Sequence, residues 1–178
     1  MRARIKIGII TLIAIISLVT ALTGCTLWKT EASTDDIPAV KNFEAERYMG
    51  VWHEIARLPQ RFERDLTDVT ATYSLENGRL MVVNRGKRAG EEVVATAVGD
   101  FAGPKDEGAF RISFFRPFYG DYKIIYLSSD YDLAMVTSSD RSSLWILARE
   151  KSISLDRLLS LLEKARTWGF DLTKLEYP

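Results

Sequence analysis

The chain of 178 residues carries 24 Lys and Arg against 24 Asp and Glu, with 47% hydrophobic and 27% charged residues, one Cys and one His. That length suffices for one domain with a sizeable core, the composition excludes a disordered chain, and the absence of a basic excess speaks against nucleic acid as a partner. One Cys excludes an internal disulfide framework and a Cys-rich zinc site, and one His excludes any metal centre built on two imidazoles, so no metal or other cofactor is expected.

Arg2, Arg4 and Lys6 precede an uncharged apolar run of 16 residues from Ile7 to Leu22, shorter than the ~20 residues that a membrane-spanning helix needs. Residues 1–24 are therefore expected to be a signal peptide. The sequence Leu22-Thr23-Gly24-Cys25 resembles the lipobox of bacterial lipoproteins, which implies that the chain is cut before Cys25, that the thiol is acylated and that lipid holds the protein on a membrane. Thr26 after the Cys is similar to the default sorting of such lipoproteins to the outer membrane, facing the periplasm. Removal of residues 1–24 takes three basic residues and no acidic one, leaving a net charge of −3. Residues 25–41 then comprise the lipidated Cys and a polar, aperiodic tether with a reach of ~20–25 Å as a flexible coil. The folded domain is expected over 42–178.

From there the apolar pattern alternates with period two. Val51 to Leu58, Val69 to Leu75, Arg79 to Arg85, Val93 to Phe101, Ala109 to Phe115, Tyr122 to Leu127, Leu133 to Thr137 and Leu144 to Arg149 read as eight strands, rich in Val, Ile, Thr and aromatics. Asn77-Gly78 is a strong hairpin signal, and Gly103-Pro104, Gly108, Gly120 and Asp130-Tyr131-Asp132 mark further turns, so neighbouring strands should be antiparallel. One amphipathic helix follows, with Ser154 as N-cap, Leu155, Leu158, Leu159, Leu162 and Ala165 on one stripe and Gly169 as its stop. The expected fold is all-β: an eight-stranded antiparallel up-and-down barrel with one C-terminal α-helix packed outside.

The stretch from Asn42 to Arg57, with Gly50-Val51-Trp52 at its centre, resembles the opening Gly-x-Trp motif of the lipocalins. Ser129-Asp130-Tyr131 is similar to the family's Thr-Asp-Tyr turn, and Arg149 ends the last strand as the third motif's Arg does. The stretches 69–75, 113–120 and 144–149 are similar to the bacterial outer-membrane lipocalins in particular. His53 stands where the family often has Tyr or Phe, Ser129 replaces Thr, and no disulfide ties down the C-terminal tail. The resemblance implies that Gly50, Trp52, Asp130 and Arg149 are structural, with Trp52 plugging the closed end and the Arg149 guanidinium lying over its indole.

Strand direction then places the connections 59–68, 86–92, 116–121 and 138–143 around an open mouth. Parity from Trp52, anchored by the resemblance, sends Glu54, Ala56, Ala71, Tyr73, Leu80, Val82 and Phe110 inward. Ile112, Phe114, Tyr122, Ile124, Tyr126, Trp145 and Leu147 follow by the same rule, while Ala56, Ala71, Ala95 and Ala97 leave room for a narrow pocket. Tyr73, Tyr122, Tyr126 and Glu54 are placed to bond either a ligand or one another. The mouth loops hold six basic residues, Arg61, Arg64, Lys87, Arg88, Arg116 and Arg141, against seven acidic ones, so a strongly anionic ligand is not demanded. Phe115-Arg116-Pro117-Phe118-Tyr119 is an apolar rim loop suited to a membrane, a partner or a lid.

An enzyme is not expected: His53 should face outward beside Arg57, leaving no inward Ser-His or Cys-His pair and Glu54 as the inward ionisable group. The reading is a membrane-anchored lipocalin that binds one small amphipathic apolar ligand, a fatty acid or lysophospholipid, for storage or transport at the cell envelope. Alternatives are a filled barrel that displays its 115–119 loop to a partner, and a lipid-acting enzyme dependent on Glu54; a homodimer is left open.

Overall fold

Strands form where the period-two runs require them. The structure, a computed structural model, describes residues 32–178, so Cys25 and the signal peptide lie outside the described residues. The strands are β1 (Gly50–Arg57), β2 (Thr67–Glu76), β3 (Arg79–Arg88), β4 (Glu91–Phe101), β5 (Ala109–Phe115), β6 (Phe118–Leu127), β7 (Leu133–Thr137) and β8 (Leu144–Ala148). Each pairs antiparallel with the next, and β8 returns to β1 to close the barrel, which removes the exposed edges an open sheet would carry. Asn77 and Gly78 adopt φ of 52° and 76°, the left-handed pair that the β2–β3 hairpin needs. β3 and β4 outrun their apolar cores because Gly86, Lys87 and Arg88 pair with Val93, Glu92 and Glu91 in a polar extension turned at Ala89-Gly90.

Four pairings shift register, at Glu54/Ala56, Thr67/Thr70, Ile112/Phe115 and Ile124/Tyr126, and the first and last of these turn residues expected inside to the outer face. In β1 the register with β8 shifts between Glu54 and Ala56, and in β6 the register with β7 shifts between Ile124 and Tyr126. A bulge places one extra residue on its strand, so every side chain beyond it changes face. Ala56 and Tyr126, expected inside, therefore join the outer cluster beneath the C-terminal helix α2 (Leu155–Thr167), while Arg57, expected outside, turns to the interior level of its partner Trp145. β7 and β8 are covered on both faces, by the barrel interior and by α2, which explains their near-continuous apolar runs.

Ser154 caps α2, its Oγ accepting from Arg157 N at 3.4 Å, and Gly169 ends it at φ +81°. The buried stripe runs through Leu158, Leu161, Leu162 and Ala165, whereas Leu155 and Leu159, expected on that stripe, are exposed. The helix thus docks about one residue further round its axis than the leucine spacing suggests. The tail needs no disulfide: Arg57 N donates to Glu176 O at 3.0 Å and Glu176 N to Arg57 O at 2.8 Å.

Upstream of β1, the hydrogen-bonded body takes in the described residues from Ala32 on, ahead of the expected start at Asn42. Residues 33–41 form a strap along the outer wall: Thr34 N bonds Ser139 O near one end, and Val40 N bonds Ile124 O at 2.9 Å nearer the other. Gly108 admits it, since a Cβ there would come within 2.7 Å of Val40 Cγ2. The short helix α1 (Ala45–Tyr48) then leads into β1.

Candidate ligand-binding site

The closed end is built on Trp52, which is fully buried and donates from Nε1 to Tyr48 O at 2.8 Å. The Arg149 Cζ lies 4.0 Å from the indole centroid, as expected, and the guanidinium also donates to the carbonyls of Val51, Arg47 and Met49 at 2.9 Å each and of Tyr131 at 3.2 Å. Gly50, at φ +96°, lets the chain turn beneath that guanidinium, where a Cβ would lie 3.4 Å from its Nη1. Asp130 sits exposed in the β7 approach, and the neighbouring residues do the structural work. Tyr131 Oη accepts from Glu44 N at 2.9 Å, and Asp132 accepts from Ser128 Oγ at 2.6 Å and Arg157 Nη2 at 2.7 Å, bonds that hold its carboxyl below the usual range. Replacing Arg149 by Lys keeps the charge but removes the planar fork, and is expected to cost about 1–2 kcal/mol in urea unfolding.

Above Trp52 the interior is filled. Tyr48 Oη and Tyr122 Oη lie 2.7 Å apart, and Tyr122 Oη donates to Tyr73 Oη at 2.8 Å, so the interior tyrosines bond one another. Burial raises all three phenols well above their ordinary value, keeping them neutral donors and acceptors. Phe110 packs against Phe43, Phe101 and Tyr122, and Leu80, Val82, Ala97, Ile112, Ile124 and Leu147 complete the shaft.

The mouth is chemically different. Arg57, 2% exposed, donates to Glu54 Oε1 at 2.8 Å, to the Glu63 and Leu66 carbonyls at 2.8 and 3.3 Å, and to Glu176 Oε2 at 3.0 Å. Glu63 turns in from the 3-10 turn Arg61–Glu63 and accepts from Trp145 Nε1 at 3.0 Å. The segment 58–66 is thereby folded over the opening, secured outside by Arg88, which donates to the carbonyls of Arg64 and Phe62, and by Gln60 on Ser142. Loss of water on burial, reinforced by the Glu63 carboxylate, pushes Glu54 up to about 8; burial also raises Glu63. Asn84, on the interior face between Ala71 and Ala95, has a buried Oδ1 without a hydrogen-bond partner.

One side of the mouth is open. β4 and β5 pair only from Phe101 and Phe110 up to Val98 and Ser113, although both strands continue towards the rim. Ala95, on the inner face of the unpaired part of β4, is exposed, and Phe114, also 40% exposed, faces Phe62 of the overlying segment with ring centroids 6.4 Å apart. A crevice of about 200 Å³ bordered by Met81, Thr96, Val98, Ser113, Phe114 and Arg116 lies where the two strands part.

Of the residues expected to line a cavity, the structure gathers Glu54, Ala71, Tyr73, Val82, Ala97, Ile112, Tyr122, Ile124, Trp145 and Leu147 inside, puts Phe114 at the rim and moves Ala56 and Tyr126 outside. Sequence reasoning missed Arg57, Glu63 and Asn84. For Asn84 the signal was present, since it continues the parity of Val82; for Arg57 the bulge concealed it.

A closed eight-stranded barrel, plugged by a Gly-x-Trp motif under an arginine and flanked by one helix, defines a lipocalin-type binding protein. The lipocalin-like domain family matches residues 43–178, and the chain belongs to the lipocalin family. It is 43% identical over 142 residues to the outer membrane lipoprotein Blc of Citrobacter freundii, covering 78% of this chain and 80% of that one. It is also 35% identical over 147 residues to Blc of Vibrio cholerae, covering 80% and 86%, and 35% identical over 150 residues to temperature-induced lipocalin-1 of Arabidopsis thaliana, covering 79% and 81%. Among solved structures, insecticyanin of the tobacco hornworm Manduca sexta superposes with a TM-score of 0.68 at 17% identity, covering 83% and 86% of the two chains, a likeness of fold. Membership in this family makes the chain a binding protein for small hydrophobic ligands, not an enzyme.

Proposed function

We propose that the protein is a lipid-anchored lipocalin of the outer membrane, held through Cys25, that takes up one fatty acid or lysophospholipid for storage or transport at the envelope. The observation that carries this reading is the change of chemistry along the barrel axis. An apolar shaft ends in a buried guanidinium with two carboxyls, which suits a ligand with one apolar tail and one polar head. The notch between β4 and β5 supplies the entrance, and entry displaces the segment 58–66. Each buried CH2 contributes ~0.8 kcal/mol on transfer, so even half a long acyl chain offsets much of the entropic cost of association.

A filled barrel that presents its rim to a partner is the second reading, favoured by the Tyr48–Tyr122–Tyr73 cluster. Titration of the purified protein with a fatty acid and a lysophospholipid, with native mass spectrometry for stoichiometry, separates the two. One ligand per barrel is expected, and no binding of either leaves the filled-barrel reading. Ala71→Phe, which adds a ring beside Asn84 on the interior face, is expected to weaken binding by tenfold or more while the melting temperature stays near that of the parent. Unchanged affinity would remove Ala71 from the pocket.

A further inference from the structure

The strap decides which way the barrel points. Ala32 O accepts from Arg141 N at 3.0 Å, Ser33 bridges Asp140, and Thr34 N donates to Ser139 O at 3.1 Å, all on the connection between β7 and β8 at the mouth. The strap then descends to Lys41, which bridges Glu107, and to Phe43, whose N bonds Asp106 O at the closed end. Had the tether begun at Asn42, the anchor would have hung from the closed end. Instead only seven peptide links separate Ala32 from Cys25, a contour of at most ~25 Å. The same end carries Phe62, Phe115 and Phe118, 59%, 80% and 77% exposed, with Phe114 beside Phe62. Arg61 and Arg116 are their sequence neighbours, and aromatic rings interleaved with arginine suit the headgroup boundary of a bilayer.

We propose that the mouth rim rests on the phospholipid bilayer, with Phe115 and Phe118 inserted at the acyl boundary, so that the notch between β4 and β5 opens onto lipid rather than onto water. The proposal rests on the reading of Cys25 as the lipidated residue. A single-chain lipid would then reach the barrel from the membrane surface without crossing the aqueous phase. Insertion of each phenyl ring is worth roughly a tenfold gain in membrane partition.

The test uses the mature lipidated protein, purified from membranes and reconstituted in vesicles of phosphatidylethanolamine and phosphatidylglycerol whose acyl chains are brominated. Phe118→Trp places a reporter at the rim and Val51→Trp one on the exposed outer face at the closed end. The rim reporter is expected to gain a blue-shifted emission that the bromines quench, and the closed-end reporter to stay unquenched against the parent's own tryptophans. Equal quenching of the two reporters overturns the proposal. A blue shift that resists bromine also overturns it, because the ring is then covered by protein, such as a second copy of the chain. Intact mass measured on the same sample reports acylation at Cys25: a non-acylated chain defeats the anchor reading, whereas an acylated chain with an unquenched rim defeats the docking alone. Phe115→Ser with Phe118→Ser, two exposed positions that leave the core intact, should slow lipid uptake from vesicles about tenfold or more without changing affinity for lipid in solution. Unchanged uptake rates contradict docking.

Discussion

Arg57→Met is expected to lower the free energy of unfolding by about 3–5 kcal/mol, because it leaves the buried Glu54 carboxyl and two carbonyls without the donor they share. Met fills most of the arginine's volume, so the loss reports the bonds rather than a cavity. Those bonds reach three parts of the chain: Glu54 on β1, the carbonyls of Glu63 and Leu66 on the segment over the mouth, and Glu176 on the tail. Hydrogen exchange should accordingly quicken in residues 58–66 and 172–178 before it changes in β3 or β4. Arg57→Lys should recover only part of the loss, since one ammonium cannot reproduce the forked geometry. A urea midpoint shifted by less than the equivalent of 1 kcal/mol would mean that Arg88 and Gln60 suffice to hold the segment.

The second large effect is on pH dependence. The Glu54 carboxyl keeps its proton up to about 8 in the fold, against 4.5 for the group in its ordinary setting. The folded state therefore binds more protons than the unfolded chain between these values. The stability lent by protonation is complete below about pH 4.5 and is lost as the pH rises through 8. At 1.36 kcal/mol per unit, the loss between pH 5 and pH 9 is at most ~3–5 kcal/mol, and Glu63, raised in the same direction, adds to it. The depressed carboxyls, among them Asp132, act below this window, losing their contribution as the pH falls through values under 3.8. Glu54→Gln still accepts a bond from Arg57 but cannot ionise. It is expected to flatten the melting temperature across pH 5–9 and to exceed the parent's stability at pH 9. A parent curve that is already flat in that range would refute the buried, proton-holding role of Glu54.

The barrel was legible because its evidence is repeated: eight period-two runs, the Asn77-Gly78 turn and the Gly50-Val51-Trp52 opening agree with one another. The closed end was legible for the same reason, as the contact of Arg149 with Trp52 follows from the two motifs meeting at one end. The mouth was not. A bulge changes parity without a residue-type signature: the Glu54–Ala56 shift falls among residues of mixed polarity and the Ile124–Tyr126 shift in an apolar run. Arg57 resembled an ordinary outward charge, and its partners Glu63 and Glu176 are 6 and 119 positions away. The strap was hidden because its composition is that of a flexible linker, and the side chains that hold it, Lys123 on the Thr34 and Ile37 carbonyls and Arg141 on Asp36, lie far away in the sequence. Similarly, Leu161 rather than Leu159 meets the wall because docking angle, not leucine spacing alone, selects the buried face.

Closure of β1 on β8, reinforced by the latch from Arg57 to Glu176, also governs the timing of folding. A chain emerging N-terminus first exposes β1 long before β8 exists, and its first strand can gain both neighbours only when almost the whole polypeptide has been delivered. Until then the growing sheet carries two raw edges that invite pairing with other nascent chains. Such long-range closure also carries a high loop entropy and slows the final step. The bond from Arg57 to Glu176 thus forms only once β8 has found β1, so the latch reports closure of the barrel rather than an early local contact.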